Sequence, residues 1–201
     1  MGSPRSRRGA TSLVLLAAAA LVAACGPRVP DTIKIGVAQP LSGPSAARGQ
    51  DLVNGALLAA ADVNASQFKV AGKQVKIEIV PMDDKADKEE AKKVARAMID
   101  QKVVAVIGHL SSDVTEAAIP VYTSGNVPQL FTSSAADLTK LGGGNAFRLI
   151  ANDDLQAQAM ASFAAGSLRA GKVAIVYEDT TYGAPLAKGA GAALQQAGKK
   201  V

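Results

Sequence analysis

Hydroxyls, carboxylates and one imidazole are the chemistry on offer in this 201-residue chain, and their spacing excludes more than it supports. His109 is the only histidine, so neither a histidine-based catalytic triad nor a multi-histidine metal set can be assembled. Stabilising the Gly108-His109-Leu110 turn is its simpler role. Asp83, Asp84 and Asp87 suggest Ca²⁺ at first sight, yet they lack the glycine and terminal glutamate of an EF-hand loop, and acids ahead of a helix favour its dipole without any ion. Gly142-Gly143-Gly144 follows no buried strand and opens no phosphate-binding helix, and reads as a flexible loop. No Gly-x-Gly-x-x-Gly follows a strand. No catalytic set, no metal and no cofactor are expected.

What remains is a group of loops. Leu41-Ser42-Gly43-Pro44-Ser45-Ala46-Ala47-Arg48-Gly49 follows one apolar strand pattern, Gly108-His109-Leu110-Ser111-Ser112-Asp113 a second, and Phe131-Thr132-Ser133-Ser134-Ala135 a third. In the second, the serines stand at a predicted helix N-terminus, whose free N–H groups and positive dipole end attract a carboxylate. The same residues admit a plainer reading, in which Ser111 or Ser112 merely caps the helix while Ser133 and Ser134 merely turn the loop. Local sequence leaves both open.

The elements that must hold these loops alternate. Ile33–Ala38 reads as a strand, and about Gln50 to Asn64 as a helix with Leu52, Ala56, Ala59, Ala60 and Val63 on one face. Val75–Val80 alternates like a strand with one wetter face. Ala91, Val94, Ala95, Met98 and Ile99 repeat at helical spacing. Val103–Ile107 is a β-branched run typical of a strand covered on both faces. A helix is predicted from Ser111 or Ser112 to about Thr123, short strands at Pro128–Phe131 and Phe147–Leu149, a helix from Asp153 or Asp154 to about Arg169, a buried strand at Val173–Tyr177 and a helix over Gly183–Ala197. Strand and helix in turn predict an open, mainly parallel α/β sheet whose ligands sit beyond the strands' carboxyl ends.

Composition narrows the setting. The formal charge of +5 owes much to Arg5, Arg7 and Arg8; without them 19 Lys and Arg face 17 Asp and Glu, which is no nucleic-acid footprint. Three tyrosines, four phenylalanines and no tryptophan supply few stacking platforms for single strands. Those arginines precede an apolar run over 13–25 that ends Val22-Ala23-Ala24-Cys25, too short to span a bilayer. Residues 1–24 therefore read as a signal peptide. The four-residue ending is similar to a bacterial lipobox, which makes Cys25 the lipidated N-terminus of the mature protein and residues 25–32 a tether. Val201 follows Gly198-Lys199-Lys200 where a further strand would begin, so more chain is expected beyond it.

Taken together, Leu41-Ser42-Gly43-Pro44, Val106-Ile107-Gly108-His109-Leu110-Ser111-Ser112, Val127-Pro128, Tyr177-Glu178-Asp179 and Tyr182-Gly183 resemble the type I periplasmic-binding family of leucine/isoleucine/valine-binding proteins. The resemblance covers 31–201 and implies two lobes, with lobe 1 at 31–150, the opening part of lobe 2 at 151–201, and the C-terminal half absent. By resemblance, Ser112 matches the serine that binds the ligand's α-carboxylate and Tyr182 the tyrosine lining the cleft. The third loop matches a Ser-Ala-Thr segment whose register is open. Counting forward from Ser112 puts Ala135 at the threonine, and counting back from Leu138-Thr139 puts Ser134 there; Ser134, with Ser133 supplying backbone contacts, keeps a hydroxyl. Arg48 lies where relatives reading aliphatic side chains often carry an aromatic residue. Either it points to solvent or the ligand has an anionic or strongly polar end.

The resemblance implies a solute receptor that is not an enzyme: an extracytoplasmic, lipid-anchored protein, monomeric when complete, that hands an amino acid or related carboxylate to an ABC permease and its ATPase. A ligand-binding sensory ectodomain and a cofactor-binding α/β enzyme are the alternatives.

Overall fold

The computed structural model describes residues 29–201; the expected signal peptide over 1–24 and Cys25 lie outside the described residues. Strand β1 (Thr32–Gln39) is followed by helix α1 (Ala46–Ala65), a hairpin of β2 (Lys69–Val70) and β3 (Lys73–Gln74), and strand β4 (Lys76–Asp83). Helix α2 (Lys88–Asp100), strand β5 (Ala105–Gly108), helix α3 (Ser112–Ser124) and strand β6 (Gln129–Phe131) continue the alternation. A short helix α4 (Leu138–Leu141) and strand β7 (Ala146–Arg148) complete it. The five long-range strands pair in the order β4-β1-β5-β6-β7, every pair parallel.

That order sets the position of a site. The first strand of the sheet sits between the second and the third, so the chain winds one way from β1 to β4 and the other way from β5 onward. Loops leaving the carboxyl ends of β1 and β5 therefore part to opposite sides, and the crevice between them is where open α/β sheets bind ligands.

The faces are covered by different helices. Val53 and Ala56 of α1 pack on Val37 of β1. On the other side Ala91, Val94, Ala95 and Met98 of α2, with Val114, Ala118 and Tyr122 of α3, pack around Ala38 and Val106. Ile119, Phe131, Leu138 and Ala146 extend that core toward β7. Glycine is required where β5 ends: Gly108 has φ 148°, and a Cβ there would lie 2.1 Å from the carbonyl oxygen of Ala38, so no side chain fits between the two strand ends.

Several sequence expectations shift. Helix α1 begins at Ala46, four residues ahead of Gln50, and its buried stripe is Gly49, Val53, Ala56 and Ala60; Ala59 is exposed. Pro40 sets this register, because Gly49 lies against its carbonyl so closely that a Cβ would be 2.0 Å from the oxygen. Strand β4 runs on to Asp83 and leaves out Val75. Strand β5 starts only at Ala105; Val104 is 53 % exposed, so the β-branched run is not covered on both faces throughout.

Beyond β7 stand helix α5 (Asp153–Ser162), a π-helical turn (Phe163–Ser167) and helix α6 (Gly183–Gln196). Helix α5 opens at Asp153 as expected, capped by Asn152, whose side chain accepts from the Leu155 N–H, and the π-helical turn ends the element short of Arg169. The strand expected at Val173–Tyr177 is absent. A strand is defined by its paired neighbours, and here the segment meets only an isolated parallel bridge of Lys172 with Lys200. Val176 is 96 % exposed.

Candidate functional site

The three loops converge at the carboxyl ends of the sheet, tied by bonds from far along the chain. The first is pinned by Asp83 at the end of β4, whose Oδ1 accepts from the N–H of Leu41 (2.8 Å) and of Lys85 (2.8 Å). Burial works to raise the Asp83 carboxyl, but the Ser42 hydroxyl and those two N–H groups outweigh it and hold it below the usual carboxylate range.

The second loop opens α3. Ser111 occupies the N-cap position, yet its hydroxyl accepts no helix N–H, which corrects the expectation of a serine cap. The amide donors of the first turn are therefore not taken up by that side chain. Ser112, 3 % exposed, instead reaches the third loop: its Oγ accepts from the backbone N–H of Ala135 at 3.3 Å. Using a lone pair in that bond leaves the hydroxyl proton available for an acceptor.

The third loop is braced from three sides. Ser133 Oγ donates to Thr115 Oγ1 (2.7 Å), and Thr115 Oγ1 donates to the Ser111 carbonyl (2.9 Å). The Ala135 carbonyl accepts from the Arg148 guanidinium at 2.7 Å. The Ser134 carbonyl accepts from the Asp153 N–H at 2.9 Å, so this loop is joined to the first residue of α5. Ser112, Ser133, Ser134 and Ala135 are thus brought together at one end of the sheet, all buried.

Tyr182 and Arg48 are more exposed than that cluster. Tyr182 is 39 % exposed, and its hydroxyl accepts from Gln156 Nε2 at 2.9 Å. It borders a hollow of about 630 Å³ between α5 and α6, lined by Met160, Ile175, Tyr177, Leu186 and Ala190. This hollow is apolar and is lined by residues between Gln156 and Leu194. Arg48 is an exposed residue in the first turn of α1.

The three aspartates do three separate jobs. Asp83 holds the first loop, Asp87 caps α2 by accepting from the Glu90 N–H at 2.8 Å, and Asp84 is buried against His109. Among the described residues no three acidic, histidine or cysteine side chains are grouped to hold a metal. Sequence reasoning missed Thr115, Arg148, Asp153 and Gln156. Thr115 had a readable signal, lying four residues after Ser111 on the same helix face; the others are placed only by tertiary packing. Asp153 is 3 % exposed, with the Ser134 hydroxyl beside its carboxylate. Its carboxyl is raised by burial, which the nearby Ser134 hydroxyl and Arg148 charge only partly offset.

Residues 32–201 match the family described as periplasmic binding protein. An amino acid binding protein of Pseudomonas aeruginosa is 34 % identical over 170 residues, which are 84 % of this chain and 45 % of that protein. The Leu/Ile/Val-binding protein of Escherichia coli K12 is 31 % identical over 175 residues, 87 % of this chain and 47 % of that one. Among solved structures, an ABC transporter substrate-binding protein of Desulfitobacterium hafniense in complex with Leu superposes with a TM-score of 0.72 at 30 % identity, covering 85 % of this chain and 49 % of that one. The chain spans about half the length of the curated relatives it matches.

Proposed function

The chain belongs to the periplasmic binding protein family, and we propose that it forms the ligand-gripping first half of an extracytoplasmic solute receptor of an ABC importer. Its ligand is an amino acid or a related small carboxylate. The observation that carries this reading is the meeting of Ser112 with Ala135 at the sheet's carboxyl end, beside a helix start whose N-cap side chain takes none of its amide donors. A carboxylate docked there accepts from the Ser112 hydroxyl and from first-turn N–H groups, and the positive end of the α3 dipole favours its charge. Ser133 and Ser134 supply backbone and hydroxyl contacts on the neighbouring loop. No group in this arrangement has to form or break a covalent bond, so the protein binds and releases its solute unchanged.

In this reading residues 31–150 are the first lobe and 151–201 open the second, with Tyr182 contributing a wall from that side. Contacts from both lobes exist only when they meet, so ligand shifts an open-to-closed equilibrium, and the closed form is what the permease and its ATPase receive. Residues 1–24 direct export, and acylated Cys25 holds the protein at the membrane surface through the tether over 25–32. The complete receptor acts as a monomer.

The test is titration calorimetry of the longest reading frame carrying these residues against L-leucine, L-isoleucine, L-glutamate and benzoate. Saturable 1:1 binding of a carboxylate, lost when the carboxylate is amidated, is expected; amides binding as well as acids defeat the carboxylate-site reading. Arg48→Ala measured against the same panel sorts its two roles. A shift from L-glutamate toward L-leucine puts the guanidinium on the ligand, and an unchanged profile leaves it in solvent.

A further inference from the structure

Behind the serine loop lies a polar assembly that the carboxylate site does not use directly. His109 and Asp84 are both 0 % exposed, with ring Nδ1 2.6 Å from Asp84 Oδ2. Ring Nδ1 is the edge that meets the carboxylate, and Nε2 is the edge turned to Tyr122. The Tyr122 hydroxyl lies 3.4 Å from that Nε2; burial, with the Asp84 charge adding to it, pushes the phenol's pKa up, so it keeps its proton.

Each partner comes from a different element. Asp84 follows β4 and is itself held, its N–H donating to the Gln39 carbonyl (3.1 Å) and its Oδ1 accepting from the Ala86 N–H (2.9 Å). Tyr122 is in the body of α3, three turns beyond the loop. The carbonyl before His109, that of Gly108, accepts from Gln129 Nε2 at the start of β6 (2.9 Å). Contacts from the end of β4, the body of α3 and the start of β6 thus converge on this one turn, and Ser112 comes three residues later.

Such an arrangement is an expensive way to fill a core. Burying a histidine and a carboxylate forfeits their hydration, and well-packed apolar residues of similar volume are commonly as stable or more so. What a directional, fully buried pair supplies instead is a fixed orientation for the backbone it holds. We propose that the Asp84–His109–Tyr122 assembly is a positioning device for the ligand loop, setting the β5–α3 turn so that the Ser112 hydroxyl and the α3 amide donors are held in register with Ala135 before ligand arrives. The proposal rests on the carboxylate-receptor reading of the same site.

Two variants separate positioning from folding. Asp84→Leu/His109→Leu removes both polar partners together and leaves no unpaired buried carboxylate. His109→Asn retains a donor in place of ring Nδ1. Three measurements are made on the longest reading frame that carries these residues: thermal melting, calorimetric affinity for L-leucine, L-glutamate and benzoate, and amide hydrogen exchange. The double variant is expected to melt within a few degrees of the parent, to bind whichever probe the parent binds roughly tenfold more weakly, and to exchange the Ala135 N–H roughly tenfold faster while the β5 amides keep their protection. His109→Asn should recover most of both losses. In a Ser112→Ala background the double variant should weaken binding further by only roughly threefold, since the hydroxyl it positions is gone and only the α3 amide donors remain to be misplaced. Equal fold-losses in both backgrounds, unchanged Ala135 exchange, or exchange rising together at Ala135 and in β5 would each overturn the proposal. If the parent binds none of the probes the carboxylate reading fails, and the exchange measurements alone then decide whether the assembly orders the loop.

Discussion

Replacing Ser112 by alanine separates a hydroxyl that grips ligand from one that merely braces a loop, because the two roles predict different numbers. Only one oxygen is lost, so no cavity of consequence opens, and the stability cost comes from the Ala135 N–H left without an acceptor. A buried unpaired donor costs about 1–3 kcal/mol. The parent bond is already long at 3.3 Å, so the lower end applies, and about 1 kcal/mol lowers the melting temperature of a chain this size by roughly 2–4 °C. In the proposed site, ligand binding draws on the other half of the group. With Oγ accepting from Ala135, its proton is free for a carboxylate, and losing a hydrogen bond to a charged partner costs about 1.5–3 kcal/mol. That is roughly a ten- to hundredfold rise in Kd. Circular dichroism melts and calorimetry on the same preparation read both quantities. A melting temperature lowered by a few degrees with affinity changed less than twofold would refute the reasoning, because Ser112 would then serve only Ala135.

Three further substitutions test neighbouring parts of the argument. Gly108→Ala must place a methyl where the Ala38 carbonyl oxygen lies 2.1 Å away and adopt φ near 148°; strain and overpacking together should cost about 2–6 kcal/mol, and a urea midpoint within error of the parent would contradict the geometry. Asp153→Asn should stabilise the protein at neutral pH. The parent carboxyl is raised by burial, so the folded state retains its proton longer than the unfolded chain, and parent stability falls as pH rises from the ordinary carboxylate value through the raised one. Each unit of the raise corresponds to about 1.4 kcal/mol, and a variant that loses ground to the parent as pH rises would reverse the sign. Ser134→Ala should weaken ligand binding roughly tenfold if its hydroxyl touches the ligand; a silent Ser134→Ala together with tighter binding by Ala135→Thr would move the contact one residue on.

Much of the architecture was legible from local pattern, because β1, β4, α2 and α3 each carry their own periodicity. Ala91, Val94, Ala95 and Met98 form the buried stripe of α2 as their spacing predicts. Failures fall where an element owes its state to something outside itself. Val173–Tyr177 has strand composition, yet a strand exists only with a neighbour, and hydropathy carries no information about whether one is present. Helix α1 starts early because a glycine fits against the Pro40 carbonyl, a contact that no count of apolar residues detects.

The site is the harder case, for a reason inherent in parallel sheets. Strands that run together bring their carboxyl ends into one place, but crossover connections separate those ends by tens of residues in sequence. Asp84 and His109 lie 25 residues apart, Ser112 and Ala135 lie 23, and neither pairing leaves a local mark. His109 read alone is a residue in a turn, and that reading is true as far as it goes. The same holds for the serines, where capping and ligand binding looked like alternatives. Neither Ser111 nor Ser112 caps through its side chain, but Ser112 shows why a structural bond and ligand binding need not compete: a hydroxyl has lone pairs and one proton, and here a lone pair is spent on the Ala135 N–H. A residue can therefore be structural by its acceptor and functional by its donor, and only an experiment that measures stability and affinity on the same variant can tell the two contributions apart.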